Sequence, residues 1–345
     1  MGWINLKLVG LQDSIILKFM KEFKSFNKFA RDENIKILKG DIRNKVLKGA
    51  MLDTRRFYED LEKNNITLLE YTDDEYPVSL RNIQDPPLFL YIRGKIEFSG
   101  KNIGVVGTRR NTVYGKISCE TILKDLLEYD VTIVSGLALG IDNIAHEYTL
   151  KKNGKCVGVV GSGLDKIFPY ESKKLWERIP ENGMLISEYP LGMEPLKWNF
   201  PRRNRIIAGL SQGILVCESY NRGGALITAE LAFQNNREVF AVPGFINYPS
   251  FKGCNELIKE TKAKLVSSGK DIAEEFLWER NGKEKKTQHL SDEEKKIFKA
   301  LGSEKSLDEL IMETKMNGSV ILAVLTNLKI KELVYEIAGG KYKGV

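Results

Sequence analysis

Between about residue 101 and residue 244, short apolar β-branched runs alternate with segments of helical period, and this alternation restricts the fold more than any other feature. The runs fall at 103–107, 131–135, 156–161, 184–187, 213–217 and 238–242. Between them, 115–129, 141–152, 171–179, 201–210 and 225–236 read as helices. A strand that is apolar without alternation is buried on both faces, which requires a parallel sheet covered by crossover helices. Six such strands predict a doubly wound, Rossmann-like α/β core.

The chain of 345 residues extends well beyond that core on both sides. Residues 1–65 read as a small helical module, because Ile15, Ile16, Phe19, Met20, Phe23 and Phe26 recur at spacings of three and four. A helix-hairpin-helix (SAM-like) unit and a plain helical adaptor both fit it. Residues 66–280 form the Rossmann-like domain. Residues 281–290, opening Asn281-Gly282-Lys283-Glu284-Lys285-Lys286, read as a polar linker. Residues 291–345 read as helices at 292–301, 306–315 and 319–332 and a hairpin turned by Gly339-Gly340, the pattern of a winged helix. Ser306-Leu307-Asp308-Glu309 is a capping box that fixes the start of the second helix.

With 42% hydrophobic and 29% charged residues the chain is not a disordered polymer. No apolar stretch reaches the ~18 residues that cross a bilayer, and Met1-Gly2-Trp3-Ile4-Asn5 does not resemble a secretory leader. A soluble, cytoplasmic protein without membrane attachment is expected. Cys119, Cys156, Cys217 and Cys254 form no CxxC pair, which argues against a closed zinc site; Cys156 and Cys217 lie in apolar runs and read as small buried hydrophobes. The net charge of +7 is uneven: residues 1–65 carry 14 Lys and Arg against 9 Asp and Glu, whereas 66–280 carry 27 against 27. A polyanion bound by the central region must therefore meet a local patch.

In an open α/β sheet, ligands bind beyond the carboxyl ends of the strands. Here those ends read Gly107-Thr108-Arg109-Arg110, Ser135-Gly136-Leu137-Ala138-Leu139-Gly140, Gly161-Ser162-Gly163, Asn221-Arg222-Gly223-Gly224 and Pro243-Gly244. Glycine lets a ligand approach the backbone, and free amides at helix starts attract anions. Tight turns alone also call for glycine, but the arginines on the same rim favour a phosphate-binding surface. The dinucleotide GxGxxG pattern and the Walker GxxxxGK[ST] pattern are both missing, so nicotinamide and ATP chemistry lose their sequence warrant and no cofactor is expected.

The segment Leu196-Lys197-Trp198-Asn199-Phe200-Pro201-Arg202-Arg203-Asn204-Arg205 carries four cations and no acid. Pro201 suits the first turn of a helix, where Arg202, Arg203 and Arg205 oppose the dipole. That points to an anionic ligand or to carboxylate partners, Glu188 being the candidate for Arg205. Trp198 and Phe200 fit either base stacking on an unpaired strand or burial in the core. Asp142 and His146 share a helix face without an evident nucleophile or metal partner, and dipole compensation suffices for Asp142. No catalytic or metal-binding residue is assigned.

Taken in order, the motifs resemble the DNA-processing protein A family (DprA, also called Smf). They are Val106-Gly107-Thr108-Arg109-Arg110, Val134 through Asp142 with Ala145-His146, Gly163-Leu164-Asp165 with Pro169, Ser187-Glu188-Tyr189-Pro190, Phe200 through Ser211, Gly224 through Ala229, and Val239 through Gly244. The resemblance implies a cytosolic bacterial protein, typically a homodimer, that binds single-stranded DNA and helps load the recombinase RecA in natural transformation and recombination. It implies that Arg109 holds a phosphate in the glycine-lined pocket, while Lys197 and Phe200 meet the DNA backbone and a base. Tyr170 departs from the pattern where some members carry a lysine, and Lys173 or Lys174 could substitute. Asn221-Arg222-Gly223-Gly224 also differs from the commoner Arg-Ser-Gly loop.

Two other readings follow from the same residues. A nucleotide- or phosphoribosyl-metabolising enzyme of related architecture would need a base in the pocket and the Pro-Gly-Gly-x-Gly-Thr signature, which is absent. A duplex regulator would need polar side chains on helix 319–332, whose stretch Val320 to Lys329 is almost wholly apolar, so that module is expected to contact protein or to regulate.

Overall fold

A computed structural model describes residues 2–98, 100–280, 291–330, 333–337 and 340–344. The six expected strands form the centre of a nine-stranded sheet: β1 (Thr67–Glu70), β2 (Phe89–Gly94), β3 (Asn102–Gly107), β4 (Thr132–Ser135), β5 (Cys156–Val160), β6 (Gly183–Ser187), β7 (Gly213–Glu218), β8 (Glu238–Ala241) and β9 (Lys264–Leu265). Their order is β1-β2-β6-β5-β4-β3-β7-β8-β9. From β3 the chain winds outward through β4, β5 and β6, then returns to the other flank of β3 for β7 and β8. That reversal makes β3 the topological switch point.

Strands β3 to β9 pair in parallel. The purely parallel expectation needs one correction, because β2 pairs antiparallel with β6 and β1 antiparallel with β2. These two strands cap one edge of the sheet. Phe89 to Ile92 are buried, so the strand follows the same apolar logic as the six that were expected.

Alternate residues of each strand enter opposite layers. Val105, Ile133, Leu215 and Cys217 pack with Cys119, Leu123, Ile141 and Ile272 under the helices Val113–Leu126, Ile141–Lys151 and Gly269–Glu275. Val106, Val134, Ile214 and Val216 pack with Ile206, Ile207, Leu210 and Ala229 under the helices Asn199–Leu210 and Gly224–Gln234. The helices of residues 1–65 join a third core, in which Trp3, Phe19, Phe26 and Phe29 continue into Phe89, Tyr91, Cys156 and Leu185. All four cysteines are buried and free.

The chain divides into two compact units, residues 1–280 and 281–345. In the second, the helices Asp292–Ala300, Leu307–Thr314 and Gly318–Ile330 enclose Ile297, Leu310, Ile321, Leu325 and Leu328. Capping boxes begin the first two, at Ser291 with Glu294 and at Ser306 with Glu309. The expected ribbon (Val334–Ile337 with Lys341–Gly344) gains a third strand, Lys305–Ser306. The linker 281–290 and Gly339 lie outside the described residues. Among the described residues, no helix is long and apolar enough to cross a membrane.

Candidate functional site

A cavity of about 970 Å³ opens beyond the carboxyl ends of β3, β4 and β7, where an open α/β sheet takes its ligands. Gly107, Thr108, Arg109 and Arg110 line it from the loop after β3, and Ala138 and Asp142 from the loop and helix after β4. Lys197, Phe200, Arg203 and Asn204 come from the start of the helix Asn199–Leu210. Ser219, Tyr220, Gly223, Gly224 and Thr228 close the far wall. Gly223 caps the helix Gly224–Gln234 with no side-chain cap, which leaves first-turn amides for a ligand or water.

Arg109, Arg110 and Lys197 are exposed at the mouth, and none is ion-paired with a described carboxylate. The Arg109 guanidinium lies 6.0 Å from the centre of the half-buried Phe200 ring, which packs 5.4 Å from Phe168. A cation beside a partly open ring suits a ligand that is anionic on one side and flat on the other.

Other residues of the expected set face elsewhere. Ser135 is fully buried and donates to the Val105 carbonyl at 2.6 Å. Gly161 accepts from Asn199 Nδ2 at 2.9 Å, Ser162 donates to the Lys166 carbonyl at 2.9 Å, and the Gly163 amide donates to the Met193 carbonyl at 2.9 Å. These residues, with Gly136 and Gly140, lie outside the cavity lining and shape the loops behind it. Gly140 has φ +82°, and a Cβ there would stand 2.3 Å from the Thr108 carbonyl oxygen, so only glycine lets the two loops meet.

The arginines of the helix Asn199–Leu210 separate by role. Arg202 turns away from the cavity toward Glu188 at 3.4 Å and Asp13 at 3.9 Å. Arg205 is buried against Glu188 at 2.6 Å and Asp85 at 2.9 Å, the structural pairing expected of it. Arg203 is buried on the cavity floor, where Nη1 donates to the Gly136 carbonyl at 2.7 Å and to the Val159 carbonyl. Trp198 is 70% exposed and so not a core residue. Tyr170 is exposed, and the Lys173 ammonium sits 5.9 Å from its ring. Tyr220 and Ser219 were not singled out from sequence, although the rule of strand ends reaches them directly after β7.

The family model described as DNA recombination-mediator protein A matches residues 67–277. The chain belongs to that family. It is 44% identical over 205 residues to the DNA processing protein DprA of Streptococcus pneumoniae, covering 59% of this chain and 72% of that protein. It is 40% identical over 221 residues to DprA of Bacillus subtilis, covering 64% and 74%. The crystal structure of the S. pneumoniae DprA superposes with a TM-score of 0.70 at 35% identity, over 81% of this chain and 97% of that one. A Helicobacter pylori DprA structure, described as giving insight into a single-stranded DNA binding mode, superposes with a TM-score of 0.56 at 29% identity, over 61% and 95%.

At the cavity floor, this DprA-family chain holds a buried polar cluster of Asp142, Arg203 and His146. The Gly136 amide donates to Asp142 Oδ2 at 3.1 Å, and a Cβ at Gly136 would collide with the Arg203 guanidinium. Burial raises the Asp142 carboxyl to about 6, against the pull of Arg203 and of nearby amides. Burial also lowers the Arg203 guanidinium to about 10, with Asp142 acting in the opposite sense. His146 is wholly buried, and burial depresses it to about 4, with the Ser135 backbone pulling the other way and the Arg203 charge adding to the shift.

The two shifts act on acid stability with opposite signs. An imidazole kept neutral in the fold is protonated in the unfolded chain below pH 6.5, so His146 costs stability as pH falls from 6.5 to about 4. Asp142 takes its proton in the fold near pH 6 and in the unfolded chain only near 3.8, so it adds stability over that interval. His146→Leu removes the loss and keeps the gain. Relative to the parent, the variant should gain up to about 3 kcal/mol between about pH 7 and about pH 4. Urea midpoints of both proteins check this, and parallel pH profiles would refute it.

Proposed function

We propose that this chain binds single-stranded DNA in the cleft beyond β3 and β7, and that it acts in recombination and natural transformation by helping to load RecA onto that DNA. The cavity mouth carries the reading: Arg109, Arg110 and Lys197 stand exposed with no ion pair to a described carboxylate, and Arg109 lies beside the Phe200 ring. Phosphates need cations without competing carboxylates, and unpaired bases need an aromatic face. In this reading Arg109 holds a phosphate and Lys197 a second one, while Phe200 meets a base. The uncapped helix start at Gly224, the Thr108 hydroxyl and the Asn204 side chain supply polar atoms, while Gly107 and Gly223 let a ligand come close to the backbone. Kinship with DprA proteins supports the same assignment. We propose further a cytoplasmic homodimer without catalytic turnover.

We propose that the C-terminal unit is a winged helix with a protein-contacting or regulatory role. Its third helix turns Val320, Leu322, Ala323, Thr326 and Asn327 outward, and the one cation among the exposed positions, Lys329, pairs with Glu336 at 2.6 Å. Such a face offers little to base edges or phosphates. Deleting residues 281–345 should change single-strand affinity by less than about twofold, against about tenfold per lost charged contact. A large loss in a gel-shift titration would assign the DNA contact to this unit. The function itself is tested by comparing single-stranded with duplex oligonucleotides of one sequence; preference for the duplex would overturn it.

A further inference from the structure

Past the cavity, the same rim carries a second aromatic group that the proposed contacts leave unused. Tyr114 lies in the first turn of the helix Val113–Leu126, and Phe245 and Tyr248 follow Pro243-Gly244 beyond β8. The rings of Tyr114 and Phe245 are 5.9 Å apart, and those of Phe245 and Tyr248 are 5.5 Å apart. Phe245 is 61% exposed, Tyr248 49% and Tyr114 40%.

The group is built into the fold rather than loosely displayed. The Tyr114 hydroxyl donates to the Pro243 carbonyl at 2.9 Å, and its ring packs edge-on against the buried Phe251 at 5.2 Å. Asn255 clamps Gly244 from both sides, accepting from its amide at 3.1 Å and donating to its carbonyl at 3.0 Å. The Gly253 amide donates to the Ser219 carbonyl at 2.8 Å, which braces this loop against the cavity wall that carries Tyr220. Rings fixed in place lose little conformational freedom when a flat partner stacks on them.

The surrounding charge selects the partner. Arg110 lines the cavity on the loop that leads into the helix carrying Tyr114, four residues on, and Lys252 opens the helix that follows Phe251. Both are exposed without an ion pair to a described carboxylate. The nearby acid Glu218 is buried and accepts from the Thr112 amide at 2.9 Å, so it does not oppose them. Exposed cations on the segments that flank these open rings match a single strand, with its phosphates outward and its bases free to stack.

We infer that bound single-stranded DNA continues from the cavity across Arg110 onto Tyr114, Phe245 and Tyr248, where further bases stack. This rests on the cavity being a single-strand site. The extension makes affinity depend on strand length beyond what the cavity alone would hold.

Fluorescence anisotropy with labelled oligonucleotides of about 6 and about 20 nucleotides tests it on the full-length chain. Phe245→Ala with Tyr248→Ala should weaken the long strand about tenfold and leave the short one unchanged. Phe245→Leu with Tyr248→Leu keeps the apolar area but not the rings and should show the same loss, while Phe245→Tyr should bind as the parent does. An abasic long strand should bind the parent no better than it binds the alanine variant. Equal long-strand affinity of parent and alanine variant would overturn the inference while leaving the cavity reading intact. Full binding by the leucine variant, or a changed sedimentation coefficient in the alanine variant, would reassign the patch to a protein partner or a second copy. Failure of the parent to bind either strand would remove the cavity reading and the extension together.

Discussion

Arg109→Ala combined with Lys197→Ala is expected to weaken single-strand binding at least about 100-fold in low salt, alike for every base sequence. Each cation is exposed at the cavity mouth with no ion pair to a described carboxylate, so its charge is available to a phosphate. Loss of a charge-assisted contact costs about 1.5–3 kcal/mol. The salt dependence should flatten as well, since each phosphate contact on a single strand contributes about 0.7 to the slope of log affinity against log salt. Among the described residues neither side chain forms an ion pair, so the thermal midpoint should hold. Filter binding across a salt series measures both quantities. Unchanged affinity with an unchanged slope would remove the basis of the assignment.

Arg203→Met should instead damage the fold, by about 3–5 kcal/mol. Its guanidinium sits on the cavity floor beside Asp142 and satisfies the Gly136 and Val159 carbonyls. Without it, an acid at 6% exposure loses its nearby cation and two carbonyls lose a donor. Urea unfolding measures the loss. Adding Asp142→Leu should recover part of it, because removing both members of a buried pair is far milder than removing one. A loss below about 1 kcal/mol would mean that the floor does not depend on this pair. Substituting Arg202 and Arg203 together would therefore mix a surface effect with a core effect.

The difference between Arg109 and Arg203 marks the limit of what the sequence discloses. Continuous apolar runs have one stable use, and the strands from Asn102 to Ala241 lie where that pattern places them. The edge strands were harder to see. Lys264–Leu265 spans only two residues, too short for any periodicity, and Thr67–Glu70 lies away from the βα alternation that revealed the others. At the site, the ends of β3 and β7 and the start of the helix Asn199–Leu210 line one cavity, because topology dictates where the loops converge, while the glycine loop after β5 lies outside its lining. Side-chain direction is another matter. Arg202, Arg203 and Arg205 are near neighbours on one helix, yet Arg202 reaches Glu188 from the solvent side, Arg203 meets two buried carbonyls, and Arg205 is buried against that same Glu188. Trp198 stands exposed and Phe200 half-buried for the same reason: a helix turns by 100° per residue, and the neighbouring loops that decide which direction is covered are distant in sequence.

Because the cavity draws its walls from segments following five separate strands, β3 through β7, no fragment of the Rossmann-like unit can retain a weakened version of it. Occupancy would be all-or-none with respect to assembly of the sheet. A saturating oligonucleotide would then protect strands far from any contact against hydrogen exchange, as a single cooperative block.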